Sequence, residues 1–170
     1  FDVHDGLQAS EFARGAAFGD EHGQLYFGGP RGLNVIRPEA ISLNAEPPAV
    51  ALTGFRVFGR PVVPGAPGSP LARSITTSRQ IELSQDSVVI TFEFAALNLS
   101  IPGKNRYSFM LDGFDRDWSP VSDQGSATYT RLPRGDYVFR VKAANNDGVW
   151  NDRGLALAVR IRPRWHERLP

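Results

Sequence analysis

The sequence predicts an all-β chain organised as a two-layer sandwich, and three observations predict it. Apolar and polar residues alternate with a period of two in run after run. The strongest run sets Val88, Ile90, Phe92 and Phe94 against Val89, Thr91 and Glu93. Turn-forming residues recur between the runs, as Asp112-Gly113, Asp123-Gln124-Gly125, Pro133-Arg134-Gly135 and Asn146-Asp147-Gly148. No stretch long enough for a helix keeps an apolar period near 3.6 residues, so helix is expected to be scarce.

Taken in order, residues 16–18 and 24–27 flank the turn Asp20-Glu21-His22-Gly23 and read as a hairpin. A glycine-rich turn at 28–32 leads to a third short strand at 33–36, which Pro38 ends. Three short strands bury little alone, so this segment is expected to lean on the rest of the chain or on a second copy. Pro47-Pro48 marks a boundary, because consecutive prolines enforce an extended connector. A strand follows at 50–58, with Gly54 as a bulge or a point of close approach. The stretch VVPGAPGSPLARS is a surface loop by its proline and glycine content. Strands are expected next at 79–83 and 87–95.

Three further strands are each built on a tyrosine. Tyr107, Phe109 and Leu111 alternate with Arg106, Ser108 and Met110; Ala127 and Tyr129 alternate with Ser126, Thr128 and Thr130. Tyr137, Phe139, Val141 and Ala143 alternate with Asp136, Val138, Arg140 and Lys142. The spacing predicts an antiparallel meander with one buried and one wet face. A last strand at 155–161 closes the set. Strands and turns at this density read as an immunoglobulin-like or fibronectin-III-like sandwich.

Composition narrows the function classes. At 170 residues the chain holds one medium domain with an appendage, or two small domains. Lys plus Arg number 19 against 18 for Asp plus Glu, so no basic excess invites nucleic acid. The chain lacks cysteine, which removes disulfides and thiolate metal sites. No apolar run approaches the ~18 residues that a membrane span needs. The chain opens at Phe1 without methionine and is read as a piece of a longer protein.

Candidate site residues are weighed against structural roles. Tyr107, Tyr129 and Tyr137 alternate with apolar neighbours, so they read as core residues whose hydroxyls pin a loop or corner. Trp118 and Trp150 stand beside turns, where they cover the open end of the core or, alternatively, form a platform for a sugar ring. Asp112, Asp115 and Asp117 have a calcium-like spacing, but lie between strands without the full loop pattern, and turn capping is the stronger reading. Asn145, Asn146, Asp147 and Asn151 receive the same reading. His4, His22 and His166 are scattered, and nothing resembles a nucleophile elbow or a phosphate loop, so no catalytic residue, cofactor or metal is expected.

Several spaced motifs together are more specific. SVVITFEFAALNLSIPGKNRYSFMLDGFDRDWSPV and ATYTRLPRGDYVFRVKAANNDGVWN closely resemble the three-tyrosine (Y_Y_Y) domain of bacterial two-component sensors. The naming tyrosines correspond to Tyr107, Tyr129 and Tyr137. The F-A-A-L pattern, the L-D-G-F-D-x-D-W run ending at Trp118 and the N-x-D-G-x-W ending with Asp147, Gly148 and Trp150 also match. Upstream, G-x-L-Y-F-G-G from Gly23 and G-L-N from Gly32 are similar to the last blade of a regulator propeller.

The resemblance implies residues 1–46 as the last strands of such a propeller, 47–163 as the sandwich and 164–170 as a juxtamembrane stub. Arg162-Pro163-Arg164-Trp165 is similar to the P-x-W segment that precedes the membrane, and Trp165 suits a membrane–water interface. It also implies a periplasmic part of an inner-membrane sensor, in which a propeller binds a carbohydrate-related ligand and the sandwich relays the event to an output such as a histidine kinase. A homodimer involving residues 1–46 is expected, since open strand edges template another chain. The alternative is an accessory carbohydrate-binding sandwich of a secreted glycan-degrading enzyme.

Overall fold

A computed structural model describes residues 2–85, 89–98 and 100–163, with the side chain of His4 excepted. The expected contributions of Val88, Arg164, Trp165, His166 and Arg168 lie outside the described residues. The chain divides into two compact units, Phe1–Leu43 and Asn44–Pro170. Among the described residues, regular structure is strand, relieved only by single 3-10 turns; the fold is all-β.

The first unit is a three-stranded antiparallel sheet in the order β1 (Ala17–Gly19), β2 (Leu25–Gly29), β3 (Gly32–Ile36). Asp20 fixes the hairpin turn: its carboxylate accepts from the His22 and Gln24 amides at 2.9 and 2.8 Å. The opening residues fold back on β2 and β3. Gln8 donates its amide to Asn34 Oδ1 and accepts from the Arg31 amide, both at 2.8 Å. Phe12 meets the Phe27 ring edge-on. Phe18, Tyr26 and Val35 share one face by register, and Phe18 and Val35 remain exposed on it.

The second unit is a sandwich of two four-stranded sheets. One runs β5 (Arg60–Pro61), β4 (Val50–Val57), β7 (Val89–Ala96), β9 (Ser126–Thr130). The other runs β6 (Gln80–Ser84), β11 (Trp150–Arg162), β10 (Gly135–Ala144), β8 (Arg106–Asp112). Strict alternation in β7 sends Ile90, Phe92, Phe94 and Ala96 inward. Phe139 from the facing sheet stacks on Phe92 with ring centroids 4.3 Å apart. Both rings are fully buried, and Leu111, Val141 and Leu157 complete the centre.

The tyrosine strands do not form a meander. Period-two alternation says which side chains turn inward but not which sheet a strand joins. β8 pairs directly with β10, while β9 crosses to the opposite sheet and pairs with β7. The other unforeseen pairing is β6 with β11, which is parallel. Gly54 lies at a register break in β4, where a Cβ would collide with the Glu93 carboxylate. The proline-rich loop is not wholly a surface feature: Leu71 is buried in the core, as is Ile75 in the 3-10 turn Ile75–Thr77. Ser108 also departs from the wet-face expectation, because the residue-119 carbonyl accepts its hydroxyl at 2.7 Å and buries it.

Candidate functional site

Two polar constructions at opposite ends of β8 distinguish this sandwich from a generic one. The first is an asparagine latch where the chain enters. β10 ends at Ala144, and Gly148, at φ +79°, turns the loop that leads into β11. Asn145 is 2% exposed. Its Oδ1 accepts from the Asp147 and Val149 amides at 2.9 and 3.0 Å, which caps the turn. Its Nδ2 donates to the Asn44 and Glu46 carbonyls at 2.6 and 3.0 Å, which straps the incoming chain to that turn.

Asp147 completes the strap by accepting from the Asn44 amide at 2.7 Å, and Asn151 donates to the Pro48 carbonyl at 2.9 Å. A second layer joins the two sheets. Asn98, just past β7, donates to Asn105 Oδ1, just ahead of β8, and to Asn146 Oδ1, each at 3.0 Å. Asn98 and Asn105 are buried, where an amide without partners would cost about 1–3 kcal/mol. Turn capping, expected at Asn145, is thus half of what this residue does. Asn44, Asn98 and Asn105 carried no periodic or turn signal that marked them; their partners are distant in sequence.

The second construction is the loop of residues 113–122, tied down by Tyr129, with the other two tyrosines at further corners. The Tyr129 hydroxyl donates to Asp115 Oδ2 at 2.8 Å, and that oxygen also accepts from the Leu111 amide at 2.7 Å. Burial, reinforced by the anionic acceptor, pushes the Tyr129 phenol well above its ordinary value. Tyr137 donates to the Pro133 carbonyl at 3.0 Å and is raised by burial too. Tyr107 accepts from the Ala96 amide at 3.1 Å, pinning the end of β7. Each naming tyrosine therefore holds a different corner. Asp112, by contrast, faces Arg140 at 3.5 Å, and no metal-holding cluster occurs among the described residues.

Trp118 and Trp150 do converge, but not over the end of the core. Neither belongs to the core cluster. Lys142 alternates with the buried Val141 and Ala143, so it projects from the outer face of its sheet. Its Nζ lies 4.8 Å from the Trp118 ring and 5.5 Å from the Trp150 ring, with Asp152 Oδ1 at 3.5 Å. A cation near an indole face is held by the ring's quadrupole. Here an ammonium lies over both rings.

Tyrosine corners and an asparagine latch together define this sandwich. Residues 98–162 match the model of the Y_Y_Y domain, and this stretch of the chain is a Y_Y_Y domain. A "Histidine kinase P4" of Formosa agariphila is 32% identical over 163 residues, covering 96% of this chain and 12% of that kinase. The extracellular domain of a protein described as a hybrid two component system of B. thetaiotaomicron superposes with a TM-score of 0.77. It shares 24% identity and covers 96% of this chain and 22% of its own. A second such extracellular domain from that organism gives a TM-score of 0.61 at 27% identity, covering 85% of this chain and 19% of its own. The chain thus spans a small part of sensor proteins and resembles their extracellular region. No helix among the described residues is long and apolar enough to cross a membrane.

Proposed function

We propose that this chain is the periplasmic relay of an inner-membrane sensor, working as a homodimer. Residues 1–46 belong to a propeller that senses a carbohydrate-related ligand. The sandwich, with no chemistry of its own, passes the resulting displacement to a membrane helix and a cytoplasmic output such as a histidine kinase. The latch is the observation that supports this reading. Asn145 grips the chain at Asn44 and Glu46, where it enters the sandwich. The loop it belongs to opens into β11, a single strand that ends at Arg162. Entry and exit are therefore joined through one buried side chain.

The exit is clamped as well. Arg162 pairs with Glu82 at 2.8 Å, and its carbonyl accepts from the Gln85 amide at 3.0 Å. A densely packed core transmits displacement without absorbing it. Dimerisation gives the motion a meaning, since two exits can change their separation and one cannot.

The test is a reporter assay in the full-length sensor with Asn145→Asp, which keeps the turn caps and removes the two donated bonds. Ligand affinity should be unchanged while ligand-dependent output falls. A normal response from a stably folded variant would overturn the relay. Sedimentation of the full-length extracytoplasmic region should show a dimer; a monomer at all concentrations, with or without ligand, would remove that part.

A further inference from the structure

The terminal strands of the two sheets, β8 and β9, are treated differently at their outer edges. On β8 every outward amide is met by the following loop. Tyr107 donates to the Ser122 carbonyl at 2.7 Å, Phe109 to Ser119 Oγ at 3.0 Å and Leu111 to Asp115 Oδ2 at 2.7 Å. Such capping is how a sheet avoids recruiting another chain.

Among the described residues, β9 has no such cover. The Phe94 amide donates to the Gly125 carbonyl, and Phe92 pairs with Ala127 and Ile90 with Tyr129. In an antiparallel ladder this register turns the amides and carbonyls of Ser126, Thr128 and Thr130 away from β7. β9 is last in its sheet, so those groups face outward. The Thr128 and Thr130 residues are exposed.

Beside that edge lies a groove of about 380 Å³ lined by Phe109, Phe114, Asp115 and Asp117 together with Thr128 and Thr130. Phe114 is 46% exposed and Asp117 is exposed, so an aromatic face and a carboxylate are presented next to unpaired main chain. The combination is specific. Main-chain bonds would hold an extended segment, and the groove would take one of its side chains, selected for positive charge. A guanidinium fits best, since it pairs with carboxylates and stacks on an aromatic ring.

We propose that the free edge of β9 is a docking strand for an extended segment of another polypeptide that places an arginine or lysine in this groove. The function goes beyond the relay, which requires no contact at β9.

The test uses the whole chain and an array of acetylated heptapeptides with β-branched flanks and the central residue varied. Peptides with central arginine or lysine should be retained over those with glutamate. Asp117→Lys should weaken them by about tenfold. Hydrogen exchange should show protection appearing at Ser126, Thr128 and Thr130. Methylating the pairing amides of the best peptide leaves the protein untouched and should abolish binding. Thr128→Pro should do the same, since it removes an outward donor while sparing the ladder to β7. No retention, retention indifferent to the central charge, or binding that survives amide methylation would each overturn the proposal. The last would point to a side-chain or glycan site in place of an added strand.

Discussion

The aromatic centre of the sandwich and its asparagine end hold the same two sheets together by opposite means. At the centre, Phe92 and Phe139 stack in a space that excludes water, and the attraction is without direction. At the end, Asn98, Asn105 and Asn145 are buried too, but each amide needs a particular partner at a particular angle. Apolar swaps of similar volume are tolerated by the first kind of contact. The second tolerates none. The core therefore sets how stable the domain is, and the latch sets where the incoming chain sits.

The largest effect should come from Phe139→Ala, which empties the middle of both sheets and should cost about 3–5 kcal/mol in a urea titration. A loss near zero would mean that the centre is not the keystone. Asn145→Asp should cost about 2–3 kcal/mol, from lost donors and a buried charge. Hydrogen exchange should then show residues 44–48 opening while the amides of β7 and β10 stay protected. Simultaneous opening of both regions would erase the distinction between them.

Tyr129→Phe comes next, at about 1 kcal/mol, because Asp115 keeps its bond to the Leu111 amide. Tyr129 also gives a pH test. Its folded phenol is raised above the ordinary 10.0, so its contribution is complete below pH 10 and lost as pH climbs above it. The alkaline decline in the thermal midpoint should be shallower in Tyr129→Phe. Lys142→Met should be smallest, below about 1 kcal/mol, as expected for an outer-face cation–π contact. Its readout is a shift in tryptophan emission at almost unchanged stability.

That contrast also explains what was legible in the sequence. Alternation exposed the core: Ile90, Phe92, Phe94, Tyr137, Phe139 and Val141 are inward as their spacing requires. Turn residues marked most strand ends. Pairing was not legible, because β9 carries the same pattern whether it lies beside β8 or across from it. Leu71 was hidden by a loop composition that argues for solvent. The latch was half legible: Asn145 announced a turn, while its bonds to Asn44 and Glu46 depend on chain geometry that no local pattern encodes. Lys142 read as a solvated strand residue, and only the fold brings both tryptophans to it.

The parallel seam between β6 and β11 bears on how the domain is made. Its partners, such as Gln80 with Ala158, stand far apart in the sequence, with β7 to β10 between them. Closing so large a loop comes late and slowly, because the chain's freedom is lost before any contact repays it. Until β11 arrives, β6 lacks the strand it pairs with among the described residues, and β10 is missing one of its neighbours. A chain still waiting for β11 would present both as sticky intermediates. Folding once the whole sequence is free, or with a chaperone that shields β10, suits such a domain better than folding piece by piece.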